Sequence, residues 1–311
     1  MTHPELDAWL KRAREFAEHA LASEFARVAP TTGSLGDAMR YALFAPGKRL
    51  RPSLVLLVCE GLGGDAARAV RPAAAIEMLH TYSLVHDDLP CMDDDALRRG
   101  QPTCHVVFGE ALALLAGDAL LTAAFEVLAG TAPERAAAAG QAAKPEHAAS
   151  PEQIASSVAV LARAAGAEGM VRGQVLDLSL EPGADVREVL AMHALKTGAL
   201  IAAACELGAL AACVRADERG RVREFGVELG KLFQAVDDVL DVVGAREELG
   251  KTPGKDAKLA RATLVRAVGL DGARRVAAEA AEGAERAAKG LGWGASHPGV
   301  LLVEHLLTRT R

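Results

Sequence analysis

Leu6, Trp9, Leu10, Ala13, Phe16 and Ala20 fall at steps of three and four, the spacing that lines one face of a helix. The same pattern recurs over about 73–88, 111–128, 154–180, 186–212 and 218–243, and again over 257–289 and 300–307. Several of these segments are apolar almost all round, as expected of helices enclosed by other helices. Sustained strand-like alternation is hard to find, so the expected fold class is all-α. The stretch TAPERAAAAGQAAKPEHAASPEQ, 131–153, lacks large apolar side chains and is punctuated by Pro133, Pro145 and Pro151. It reads as a flexible surface connection. Because helices of the same kind resume on both sides, it does not divide the chain, and a single domain over 1–311 is expected.

Composition agrees with this picture and narrows the function. Half of the residues are hydrophobic and only 4% aromatic, which favours helix over sheet. A net charge of −6 argues against nucleic acid as a partner. The amino terminus, MTHPELDAWLKRARE, lacks the apolar core of a secretion signal. No stretch is read as approaching the ~18 uncharged residues of a membrane span, so a cytoplasmic protein is expected. Cys59, Cys91, Cys104, Cys205 and Cys213 are odd in number and form no CxxC pair, which supports neither a disulfide framework nor a zinc site.

The chemistry is concentrated in two acidic clusters. HDDLPCMDDD, 86–95, follows an apolar helix that Pro90 should end, so Asp93 should return on a turn toward Asp87 and Asp88. In FQAVDDVLD, 233–241, Asp237 and Asp241 lie one helical turn apart with Asp238 beside them. Two such patches facing each other would suit Mg²⁺, a hard ion that keeps waters and shares a phosphorylated ligand with carboxylates. Matching cations are present: Lys48, Arg49 and Arg51 in GKRLRP, Arg98 and Arg99 in LRRG, Lys196 followed by Thr197, and Lys251 and Lys255 in GKTPGKD. Together they suggest a cavity for two diphosphates, one held through metal and one through direct hydrogen bonds.

With these motifs, and with LAGDALL, GMVRGQVLDL and KTGAL between them, the chain resembles the trans-isoprenyl diphosphate synthases over nearly its full length. It is most similar to the short-chain bacterial farnesyl diphosphate synthases. The resemblance implies an isoprenoid synthase-type helical bundle around a deep central cavity, usually homodimeric. The implied reaction is head-to-tail condensation of isopentenyl diphosphate with dimethylallyl or geranyl diphosphate. By the same resemblance Asp87, Asp93 and Asp237 hold Mg²⁺, three ions with substrate bound, and Asp88, Asp238 and Asp241 complete the acidic set. Arg98, Lys196, Thr197, Gln234 and Lys251 would contact the allylic diphosphate, with Gln174 and Asp177 of GQVLD near it. Isopentenyl diphosphate would be held by Lys48, Arg51, His80 and Arg99. Asp87, Asp93, Asp237, Lys196 and Arg98 are the implied catalytic residues, and the departing diphosphate takes the proton lost after condensation.

Product length should depend on Tyr82, with Ser83 beside it. Tyr82 lies five residues before Asp87, roughly 7–8 Å back along the helix axis, where its ring would act as a floor for the growing chain. That favours the C15 product, with C20 geranylgeranyl diphosphate as the alternative. Some positions depart from the family pattern: Arg172 stands where glycine is common, and RATL, 261–264, replaces a Lys-Ser/Thr-Tyr run, so that either Arg261 substitutes for the lysine or the contact is lost. Arg309 and Arg311 are candidates to close over the diphosphates. GLGGDA, 61–66, fits a dinucleotide pattern but is better read as a helix ending in a glycine turn. GAREELGKT has the wrong spacing for a phosphate loop. Two remoter readings are an HD-type metal phosphohydrolase built on His86, Asp87, His80 and His193, and a non-catalytic subunit of a two-chain synthase.

Overall fold

The computed structural model describes residues 3–30, 32–130, 149–248 and 262–310, with backbone alone over 244–248. Of the described residues, 78% are helical. Its helices are α1 Pro4–Val28, α2 Ser34–Leu43, α3 Leu50–Gly61, α4 Ala66–Asp87, α5 Cys104–Phe108, α6 Glu110–Ala129, α7 Pro151–Ala165, α8 Met170–Ser179, α9 Val186–His193, α10 Ala199–Ala211, α11 Ala216–Glu248, α12 Leu264–Gly290 and α13 Pro298–Thr308. A π-helical turn, Ala194–Gly198, joins α9 to α10. Among the described residues the only strands are β1 Leu97–Arg98 and β2 Gln101–Pro102, paired antiparallel with Arg98 opposite Gln101. Arg99 (φ 53°) and Gly100 (φ 80°) form the tight turn between them.

The chain packs as two compact units. The amino-terminal unit comprises Leu10–Ala159 and Leu210–Ala212; the carboxy-terminal unit comprises Met1–Trp9, Val160–Ala209 and Cys213–Arg311. In the former, α4 packs on α3 and α6. Every residue from Ala73 to Leu79 is buried, as is every residue from Pro52 to Cys59 on α3. That is why these stretches are apolar almost all round, with Ser53 and Glu77 the exceptions. In the latter, α11 packs along α12; Val222, Phe225, Leu229 and Leu232 are buried on the first helix and alanines 273, 277, 280, 281, 284 and 288 on the second. Small side chains at steps of three and four let the two backbones approach closely.

Local signals set the boundaries. GLGGDA ends α3 in a glycine turn: Gly63 has φ 77°, the Gly64 amide donates to the Cys59 carbonyl at 2.8 Å, and the Asp65 carboxylate caps α4 through the Ala67 amide at 2.8 Å. Asp185 and Glu188 form a capping box at the start of α9. None of the five cysteines is in a disulfide.

Three expectations need correction. The connection drawn to 153 is too long, because Pro151 opens α7, a position where its missing N–H costs nothing; residues 131–148 lie outside the described residues. The pattern over 154–180 is not one helix but α7 and α8, separated at Gly166 and Gly169. The expectation about membrane spans holds for uncharged runs but not for mean hydropathy, which tolerates a charge or two in the window. By length and composition α6, with a mean hydropathy of 1.8, is apolar enough to cross a membrane, and so are 151–179 and 186–211. The reason is alanine, which raises mean hydropathy without adding bulk; 67% of the 186–211 window is buried within the protein.

Candidate active site

In the amino-terminal unit α4 ends at Asp87, and Asp88 is its C-cap. Pro90 follows, and the chain folds back as expected: the Asp93 amide donates to the Asp87 carbonyl at 2.9 Å, and the Met92 amide to that of Leu89 at 2.8 Å. Five aspartates thus gather at the C-terminal end of a helix, where the macrodipole is negative and disfavours anions. The arrangement makes electrostatic sense only with a cation among them.

Arg98 provides part of that charge. From β1 its Nε donates to both Asp88 oxygens at 2.8 and 3.0 Å, and a terminal nitrogen lies 2.6 Å from Oδ1. Burial pushes the Asp88 carboxyl above its ordinary pKa, with Arg98 pulling the other way. Asp88 is therefore engaged by Arg98, whereas Asp87 and Asp93 sit half-buried on the turn.

Beneath the turn lies a pocket lined by Tyr41, Glu77, His80, Asp88, Arg98 and Arg99, among others. Its charge is predominantly positive. Burial first, then Arg51, Arg99, Arg98 and Arg49, hold the His80 imidazole well below its usual pKa. Burial lowers Arg51 to about 10, with its Nε enclosed and without a hydrogen-bond partner. Arg99 donates to the Pro46 carbonyl at 2.6 Å; a side chain at Gly47 would collide with its guanidinium. Arg51, His80 and Arg99 thus come together as expected, with Lys48 exposed on the same loop. Unsatisfied buried donors among crowded cations are the setting for a multiply charged anion.

Arg49 has a different task. In the left-handed region at φ 50°, it donates from Nε to Glu18 (2.8 Å), from one terminal nitrogen to Glu77 (3.1 Å) and from the other to the Ala45 carbonyl (3.1 Å). It ties the start of α3 to α1 and α4. Glu77, 4% exposed, has its second oxygen enclosed and unpartnered. Sequence reasoning passed over Glu18 and Glu77; only the i, i+3 spacing of Glu77 and His80 on α4 hinted at the latter.

The carboxy-terminal unit holds the second cluster. On α11, Asp237 and Asp241 are exposed one turn apart, and Asp238 is buried between them. Burial, then Asp238, raise the Asp241 pKa. Asp238 accepts from the Leu264 amide at 2.6 Å and from Gln234 Nε2 at 3.0 Å, and lies 3.7 Å from His193 Nε2. Its oxygens are thus occupied by the protein's own donors at the start of α12, and Gln234 is turned to it. Lys196 Nζ donates to Asp177 at 2.6 Å, and a Cβ at Gly173 would overlap the Lys196 backbone. Glycine there allows α8 to lie directly against the π-helical turn that presents Lys196 and Thr197. Arg172 points away from this chemistry, to Glu168 at 2.6 Å. Ser83 donates to the His80 carbonyl at 2.8 Å. Lys251, Lys255, Arg261 and Arg311 lie outside the described residues; Arg309 is exposed.

Among the described residues no three His, Cys, Asp or Glu side chains converge on one point. Mg²⁺ takes one or two carboxylates and completes its shell with water and phosphate oxygens. Asp87 and Asp93 of the amino-terminal unit are half-buried, and Asp237 and Asp241 of the carboxy-terminal unit are exposed, so each cluster by itself offers carboxylates of that kind. His86 is turned away from this chemistry, its Nε2 3.0 Å from the Leu114 carbonyl.

Fold and residues therefore define an all-α protein with one acidic turn at a helix end, a second acidic cluster along α11, and a basic anion pocket. The chain belongs to the polyprenyl synthetase family, whose sequence profile matches residues 33–289. It is 46% identical over 246 residues to the heterodimeric geranylgeranyl pyrophosphate synthase large subunit 1 of Arabidopsis thaliana, covering 78% of this chain and 63% of that one. It is 42% identical over 279 residues to a geranylgeranyl pyrophosphate synthase of Capsicum annuum, covering 88% and 71%. Among solved structures, a geranyltransferase from Legionella pneumophila matches with a TM-score of 0.81 at 30% identity, covering 98% and 97%. An FPP/GFPP synthase from Zymomonas mobilis matches with 0.78 at 33%, covering 96% and 98%.

Proposed function

We propose that the protein is a Mg²⁺-dependent prenyltransferase that condenses isopentenyl diphosphate with dimethylallyl and geranyl diphosphate to give farnesyl diphosphate. The observation that carries the reading is the pairing of an acidic turn with a basic, donor-rich pocket in one unit. Asp87, Asp93, Asp237 and Asp241 would hold the metal, which would neutralise the leaving diphosphate and so ease C–O cleavage. Lys196 and Thr197 on the π-helical turn would face the same allylic diphosphate, and Asp177 holds the Lys196 ammonium in place. Arg51, His80, Arg99 and Lys48 would fix isopentenyl diphosphate so that its double bond meets the allylic cation. The departing diphosphate would accept the proton.

The C15 product is supported by Tyr82, an aromatic ring only 7% exposed and five residues before Asp87. A C20 product is favoured instead by the geranylgeranyl synthases among the relatives. We also infer a homodimer, because Val106 and Val107 on α5 and Leu114 and Leu115 on α6 are exposed and a second copy would cover them. A cytoplasmic setting accords with five cysteines outside any disulfide. The test is incubation of the purified chain with labelled isopentenyl diphosphate, either allylic starter and Mg²⁺, followed by product sizing. C15 is expected, with no turnover after chelation. Turnover that survives the chelator would overturn the metal role, and a C20 product would select the second reading.

A further inference from the structure

His86 adjoins Asp87 but has no part in the chemistry proposed above. Its ring leaves α4 sideways, and Nε2 donates to the Leu114 carbonyl of α6 at 3.0 Å, with Asp118 3.8 Å away. The space it fills exists because of Gly117, in the interior of α6. Glycine is the least favourable residue there after proline, and alanine recurs through the rest of the helix at 111, 113, 116 and 119. A Cβ at 117 would overlap the His86 imidazole, at both Nε2 and Cδ2. The glycine is thus a notch, and the imidazole is its occupant.

The seated ring braces another. One turn back on α4, Tyr82 meets His86 edge to face, with centroids 5.5 Å apart and planes at 86°. An i, i+4 pair on a helix meets in this way when both side chains keep their usual rotamers. The geometry points to His86, anchored to the Leu114 carbonyl within the Gly117 notch, as the latch that holds the Tyr82 ring across the path of the growing prenyl chain. Gly117 and His86 are then specificity-determining positions that act through Tyr82. This rests on the reading of Tyr82 as the floor.

The test is product sizing, at one fixed ratio of substrates, for Gly117→Ala, His86→Ala, the double variant and Tyr82→Ala. Tyr82→Ala should lengthen the product outright. Gly117→Ala and His86→Ala should each raise the ratio of longer product to C15 roughly three- to tenfold, the range of one aromatic pair. The double variant should match His86→Ala alone, because the added methyl acts only through the imidazole. If Tyr82→Ala lengthens the product and neither other variant does, the latch is wrong and the floor stands. If Tyr82→Ala changes nothing, the floor falls and the latch with it. A double variant that exceeds His86→Ala would show that Gly117 acts by another route and would overturn the notch. His86→Ala introduces no overlap, so it supplies the result even where Gly117→Ala does not fold.

Discussion

Asp237 and Asp238 are neighbours of one residue type, and alanine at each should do opposite things. Asp238 is 6% exposed; it accepts from the Leu264 amide at 2.6 Å and from Gln234 at 3.0 Å. Asp238→Ala leaves a buried backbone N–H without an acceptor, which costs about 1–3 kcal/mol. Gln234 is half-buried and can turn to water, so its loss adds only about 0.5–1 kcal/mol. The sum, about 1.5–4 kcal/mol, should lower Tm by about 2–6 °C in a chain of this size. Asn at 238 keeps one acceptor oxygen and should recover part of the loss. Asp237 is exposed, so Asp237→Ala should leave Tm within about 1 °C, as surface changes do, while removing Mg²⁺-dependent turnover. Thermal melting and steady-state turnover on both variants check this. Equal Tm values for Asp237→Ala and Asp238→Ala would refute the division of roles.

Two further outcomes are expected. His80 is kept neutral in the fold by burial and by Arg51, Arg99, Arg98 and Arg49, whereas in the unfolded chain it takes a proton near pH 6.5. The unfolded state therefore binds more protons on the acid side, and stability falls with pH below about 6.5, by up to about 1.4 kcal/mol per unit. His80→Asn removes this contribution, so melting curves from pH 7.5 to 5 should show the wild type losing Tm relative to the variant; parallel curves would disprove it. Gly173→Ala should push α8 off the π-helical turn and displace Lys196. Kinetics should show kcat/KM for the allylic substrate lower by about a hundredfold with KM for isopentenyl diphosphate held, and unchanged kinetics would count against the positioning role.

Much of this protein was determined by short-range patterns that any reader of the chain can find. The steps of three and four, the Gly63 turn and the caps at Asp65 and Asp185 are local, and so is the fold-back of Asp93 past Pro90. The buried runs at 52–59 and 73–79 were legible for the same reason, since a helix apolar all round has one place to go. Spacing alone could not rank the members of a cluster. Asp238 differs from Asp237 because the start of α12, 26 residues further on, brings an amide to it. Arg49 differs from Arg51 because Glu18, Glu77 and the Ala45 carbonyl engage each of its nitrogens, while Arg51 is buried with its Nε unused. His86 reads as half of a metal pair until α6 offers a carbonyl and a glycine notch. A charged side chain has its task decided by whichever donor, acceptor or void lies opposite, and what lies opposite comes from another part of the chain.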